Sequence, residues 1–419
     1  MSVTPRILNN NDKNRGYFMS ERISHRSLVL SAFASAYGVG LLTLLMLPFL
    51  MGAMMDGLGL SEGTTGLILS VEFTLAMVSS LLIAPYINRV PRRTIAIVGT
   101  LMAIAANIIS AYVTDVALLI SIRAFAGFGA GLALATGNSV IAAAKDPDKA
   151  AGQVNVLFVV LMIAVMLGFG FIADNFGLKG TYFGVAATYA VMLLMVIRLP
   201  QYIDTSSEES AAEAPEKSSA KSGNVKLIGL VSIGMMATMF LFSMRDTMGW
   251  AFVEQIGVSL GYTTSEMGMI LALQAFIALI GPMIVAKVGT RFGITIPVLI
   301  GIIGHGSITL GYLMASESKF FYTLIVLMNA TAYFYALAYL TGLAASLDKE
   351  GRVVAATGSF IALGIAIGPA FAGQLIDLGG YSIAGLSIIV IVALTVIAVI
   401  PPLKAARAAE RENKESALS

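Results

Sequence analysis

Two ionisable residues stand in apolar stretches where hydrocarbon-soluble helix would hold neither. Arg123 interrupts "LLISIRAFAGFGAGLALATGNSVIAAA", Leu118 to Ala144, and Glu72, in "SVEFTLA", is the one acid well inside its own apolar segment. A guanidinium at the centre of a membrane helix costs roughly 2.5 to 3.5 kcal/mol on insertion scales, so it implies water, a partner or a function. A carboxyl in such a place can exchange a proton as its surroundings alternate between wet and dry, and a neighbouring arginine sets when it does. Glu72 is therefore an expected proton-coupling residue, the alternative being a permanent structural partner. Arg245 and Asp246 are adjacent, point about 100° apart on a helix and cannot pair face to face. Arg245 can hold a carboxylate bidentately, which favours an organic anion, although an internal pair or a gate latch would use the same chemistry. Asp246, Trp250 and Glu254 form an i, i+4, i+8 stripe that would suit a cation. In "NATAYFYALAYLTG", Asn329 and Tyr333 share one face and Tyr335 and Tyr339 another. Tyrosines combine flat apolar area with a hydroxyl, suited to a ring or branched solute; aromatic packing is the alternative. Tyr37 and Asn138 are further substrate-contact candidates.

The elements that must position these residues follow from composition. With 57% hydrophobic and 12% charged residues and a mean hydropathy of +0.86, the chain is an integral membrane protein. It has no cysteine and only two histidines, His25 and His305, which excludes disulfides and thiolate or histidine-rich metal centres. The net charge of +2 offers no basic field for nucleic acid, and no phosphate-binding G-x-x-x-x-G-K-[ST] loop occurs. No nucleophile, base and metal set is visible, so no enzyme activity and no cofactor are expected. The expected partners are a small-molecule substrate, a proton and the lipid bilayer, with the protein a monomer.

Twelve windows are long and apolar enough to span: about 28 to 54, 63 to 87, 94 to 113, 116 to 144, 150 to 173, 180 to 198, 227 to 252, 264 to 287, 294 to 315, 319 to 346, 352 to 376 and 381 to 402. None alternates as a barrel strand does, so the expected fold is all-α, twelve transmembrane helices in two six-helix bundles. The expected organisation is a tail 1–27, a first bundle 28–198, a linker 199–226, a second bundle 227–402 and a tail 403–419. The linker stretch Pro200 to Lys226 is rich in Ser, Ala, Glu and Lys and is expected to be disordered. The first segment is too long for a signal-peptide core and is expected to be retained; either Met1 or Met19 could be the start. Placing both termini in the cytoplasm gives that side 22 of the 26 basic residues, which implies a multi-pass protein of the inner (plasma) membrane.

The two bundles are related. Gly66 falls on Gly268 together with Glu72 on Gln274 and Arg89 on Arg291, and one residue further along Gly170 falls on Gly373 and Asp174 on Asp377. Such a repeat means two copies of one bundle with a site between them near the midplane. It also sets Arg245 against Thr43, near the middle of a central cavity.

The chain resembles the major facilitator superfamily over essentially its whole length. That family carries G-x-x-x-D-R-x-G-R-R between helices 2 and 3, and "APYINRVPRR", Ala84 to Arg93, matches at Arg89, Arg92 and Arg93, with Asn88 in place of the aspartate and Ala84 and Pro91 in place of glycines. In the second copy, "AKVGTRFG", Arg291 and Gly293 remain. The helix 4 pattern L-x-x-x-R-x-x-q-G-x-g matches at Leu119, Arg123, Gly127 and Gly129, with Ala126 for the glutamine. The resemblance implies that Arg123 takes part in proton coupling, that the arginines of the two loops form gates, and that helices 1, 4, 7 and 10 line the cavity. His305 then reads as a packing histidine on a helix outside it. An efflux-type G-P motif is missing from helix 5, its nearest match being "GIAIGPAFAG" in helix 11, and no sugar-porter P-E-S-P-R follows helix 6. The resulting expectation is a proton-coupled symporter of a small organic solute, a carboxylate or aromatic acid; the alternatives are a proton-driven drug or metabolite efflux antiporter and a transporter-like receptor.

Overall fold

The computed structural model describes residues 24–202, 225–289, 291, 293–315, 318–347 and 352–418. Most of the first tail and of the linker expected to be disordered therefore lie outside the described residues. What is described is helical, with no strand, as expected where a backbone must satisfy its own hydrogen bonds in hydrocarbon. The helices are α1 His25–Leu58, α2 Glu62–Tyr86, α3 Arg92–Ser110, α4 Val116–Ala142, α7 Val225–Trp250, α8 Thr264–Val288, α9 Thr295–Leu313 and α10 Lys319–Leu347. Two continuous stretches, Pro147–Val196 and Arg352–Leu418, each hold two more.

Length explains why those stretches must fold back. A straight helix of 50 residues would extend about 75 Å, against a hydrocarbon core of about 30 Å. Gly177, at φ 57 and ψ −152, breaks the first stretch into α5 (147–176) and α6 (178–196), and Gly379 with Gly380 breaks the second into α11 (352–378) and α12 (381–418). A side chain at Gly177 would be strained in that backbone. The return is seen in the packing: Gly184 of α6 lies against Phe169 and Ile172 of α5. The chain thus makes twelve passes, as its apolar windows imply. Beyond residue 402 it stays helical to Leu418, with Leu403 and Ala406 buried and Arg407 Nε donating to Thr295 Oγ1 (2.6 Å).

Among the described residues the two halves meet at one end, the end that carries the α1/α2, α5/α6 and α11/α12 turns. There Ser61 Oγ and the Gly63 amide donate to Asp377 (2.8 and 3.1 Å), and Ser265 Oγ donates to Asp174 (2.6 Å). Gly66 lies against Pro369 and Gly170 against Gly268. Gly66 and Gly268, and Asp174 and Asp377, are pairs that align in the repeat, so the closed end is built twice, by α2 on α11 and by α5 on α8. Trp250 Nε1, from α7, adds a bond to the Leu44 carbonyl of α1 (2.9 Å). Among the described residues one apolar core joins both halves at this end and continues through the first half, while the opposite end of the second half has its own core around Met235, Phe242 and Val298, and a small cluster surrounds Ala32 and Val140.

Candidate functional site

Each half buries an arginine. In the first, Gly127 and Gly131 bring α4 so close to α2 that a Cβ at either would strike the carbonyls of Glu72 or Ala76, the small-residue contact by which membrane helices approach. One turn before Gly127, Arg123 Nη1 lies 3.4 Å from Glu72 Oε2 and donates to Asn107 Oδ1 of α3 (3.3 Å). Its guanidinium carbon sits 5.1 Å from the Tyr182 ring centroid of α6. The other Glu72 oxygen accepts from Thr43 Oγ1 of α1 (3.0 Å), which also meets the Tyr189 hydroxyl (3.2 Å). Five helices converge on one ion pair, and both its members are buried. Arg123 is thus held by partners inside the bundle, not by a water-filled face.

In the second half Arg245 Nη1 donates to the Ile302 carbonyl (2.8 Å) and Nη2 to His305 Nδ1 (2.6 Å), both on α9. Arginine has only donors, so Nδ1 must accept and the imidazole proton resides on Nε2. That nitrogen lies 3.3 Å from Asp246 Oδ1. The Phe242 ring packs 5.1 Å from the Arg245 guanidinium carbon and stacks on Tyr333 at 5.4 Å. The structure corrects the placement of Arg245: it is buried towards α9, with no exposed surface to offer a carboxylate. His305 is buried, as a packing residue would be, but it also bridges Arg245 to Asp246.

The remaining candidates divide into two groups. Tyr37 lies on a partly exposed stripe of α1 with Leu30 and Leu44, its ring 5.0 Å from Phe158 of α5; Asn138 is exposed on α4; Tyr333 is partly exposed, and so is the Asp246 side chain at 19%. Asn329 is buried on the Tyr333 side. Tyr335 and Tyr339 do not join them. They pack edge to face at 5.0 Å on the α8 side of α10, where Gly281 approaches the Tyr335 amide and the Tyr339 hydroxyl donates to the Gly289 carbonyl (2.8 Å). Of the loop arginines, Arg89 and Arg291 are exposed; the Arg92 side chain bonds Asn88, and Arg93 bonds the Leu199 carbonyl just after α6. The sequence reading passed over Asn107, Tyr182 and Tyr189. Asn107 had a signal, being an amide inside an apolar segment, whereas the tyrosines look like any packed aromatic.

Twelve passes in two repeated bundles, joined at one end and each centred on buried charge, define the architecture of a secondary transporter. A sequence profile of the Major Facilitator Superfamily matches residues 28–252 and 234–419, and the chain belongs to that superfamily, as a multi-pass transporter and not an enzyme. Its fold is similar to that of a bacterial homolog of the human lysosomal transporter Spinster in an inward-facing, unoccupied conformation (16% identity, TM-score 0.67, covering 91% of this chain and 97% of that one). It is also similar to the nucleoside transporter NupG (14%, 0.67, 91% and 98%) and to a D-xylose–proton symporter (15%, 0.67, 88% and 96%). A sequence search of curated proteins found no match.

Proposed function

We propose that the protein moves a small organic solute by proton-coupled alternating access, with Glu72 carrying the proton and Arg123 setting its charge state. The observation that carries this reading is the buried Arg123–Glu72 pair, to which α1, α2, α3, α4 and α6 all contribute. A proton on Glu72 weakens its hold on Arg123 and so alters how five helices pack, which links protonation to the shape of the bundle. The protein works as a monomer in the inner (plasma) membrane with both termini cytoplasmic, so that the closed end faces outwards and the structure is inward-open. The partly exposed Tyr37, Asn138, Tyr333 and Asp246 suit a polar, ring-bearing solute. With Arg245 engaged by α9, they favour a neutral or cationic solute over the carboxylate that the sequence suggested.

The test is flux in liposomes. Accumulation should need no nucleotide and should collapse with a protonophore. Glu72→Gln, an amide that mimics the protonated acid, should abolish uphill transport while sparing exchange. Uphill transport by Glu72→Gln with an unchanged pH dependence would remove the assignment.

A further inference from the structure

Besides Glu72, the described residues hold one more buried acid, at the closed end, that the central pairs do not use. Glu254 lies in the short helix Val253–Ser259, beyond the end of α7 and outside the spanning segments. It is 2% exposed. Oε1 accepts from Thr264 Oγ1 (2.7 Å), but Oε2 has no hydrogen-bond partner among the described residues. Glu254 lines a cavity of about 230 Å³ together with Gly52 and Asp56 of α1, Leu178 after the α5/α6 turn, and Thr264. The α1 backbone comes so near that a Cβ at Gly52 would overlap Glu254 Oε2.

This surface joins the two halves, and its charges have one sign. Asp56 lines the same cavity from the first half, and Asp174, also from the first half, accepts from Ser265 beside Thr264. Neutral groups close by are Tyr322, whose hydroxyl donates to the Val253 carbonyl, Tyr381 and Gln255; Glu62, which interacts with Tyr381 as Glu254 does, is a further acid, and Lys179, next to Leu178, has its ammonium 5.8 Å from the Tyr112 ring centroid. Lys319 is engaged elsewhere, donating to the Gly261 carbonyl (2.6 Å) with its ammonium 4.7 Å from the Tyr262 ring centroid. A bare carboxylate pressed against α1 and faced by two others would push the halves apart, and a buried Oε2 without a donor is costly as an anion.

We propose that Glu254 is a proton-binding residue, separate from the Arg123–Glu72 pair, and that its protonation favours closure of this end of the protein. The inference rests on the closed-end geometry and not on the solute or on Glu72. Burial lifts the Glu254 carboxyl to about 7, the Thr264 hydrogen bond opposing and Asp56 and Asp174 adding to the rise. When the end opens, water returns the group to the ordinary carboxylate range. The sign follows: closure is fully supported below that range, weakens as pH rises towards about 7, and levels off above it.

The chain has no cysteine, so single cysteines at exposed Thr114 and Phe320, one in each half, can report the opening by spin-label distance in lipid nanodiscs. The ratio of closed to open should fall about a hundred-fold across that pH window. Glu254→Gln should stay closed with no pH response there, while Glu72→Gln should keep the response, so failure of either assignment is seen separately. If Glu254→Gln does not fold, Asp56→Asn should move the midpoint to lower pH. A response unchanged in Glu254→Gln, a midpoint unmoved in Asp56→Asn, or closure that follows sodium or potassium concentration at fixed pH would overturn the proposal, the last by assigning the cavity to a metal cation.

Discussion

Arg123 and Arg245 are both fully buried, and each guanidinium carbon lies 5.1 Å from an aromatic centroid. What meets the charge differs. In the first half it is the carboxylate of Glu72 on α2, 3.4 Å away. In the second it is the Ile302 carbonyl and the imidazole of His305, both on α9, with Asp246 on the far side of the ring. One half therefore holds an ion pair in contact, in which removing either partner strands the other. The other half keeps its cation and its acid apart with a polar spacer, and the acid retains 19% exposure. Contact ties protonation to packing, whereas separation leaves an acid free to meet water or solute.

The largest effect that could break this comparison is on stability. Arg123→Met strands a buried carboxylate and should cost about 3 to 5 kcal/mol, as removal of one partner of a buried pair does. Adding Glu72→Gln to Arg123→Met should recover much of that loss in thermal unfolding of the purified protein. Equal unfolding of the single and double variants would mean that the pair is not the unit described.

Arg245→Met should cost less, about 1.5 to 3 kcal/mol, because it takes donors from neutral acceptors and leaves no bare charge. If Arg245 only organises α9, the acid and amide forms of a solute should then lose affinity equally in Arg245→Met. Selective loss of the acid would restore the carboxylate clamp and erase the contrast between the halves.

The smallest effects sharpen the second half alone. Tyr333→Leu removes the stack on Phe242 and should cost about 1 kcal/mol of stability, with a measurable loss of solute affinity. Tyr339→Phe removes only the bond to the Gly289 carbonyl, about 0.5 to 1.5 kcal/mol, and should leave solute affinity unchanged in the same binding assay.

Membrane class, the number of passes and the twofold repeat were legible because they depend on local quantities: window hydropathy and the distance between Gly66 and Gly268. The types of the chemical residues were legible too, since a charge in an apolar helix stands out wherever it points. Their partners were not. Aligning Arg245 with Thr43 fixes how far along its helix the arginine lies but not which way that helix is turned, and the turn that faces α9 makes it a buried bridge instead of a cavity wall. The same freedom hid Asn107 and Tyr182 beside Arg123 and set Tyr339 against the α8/α9 turn. By itself the sequence determined what each helix is and how deep each charge lies, because hydrophobicity and helical rise act along the chain. The tertiary structure alone decided which charges meet, because helix rotation and close approach are set by packing between segments distant in sequence.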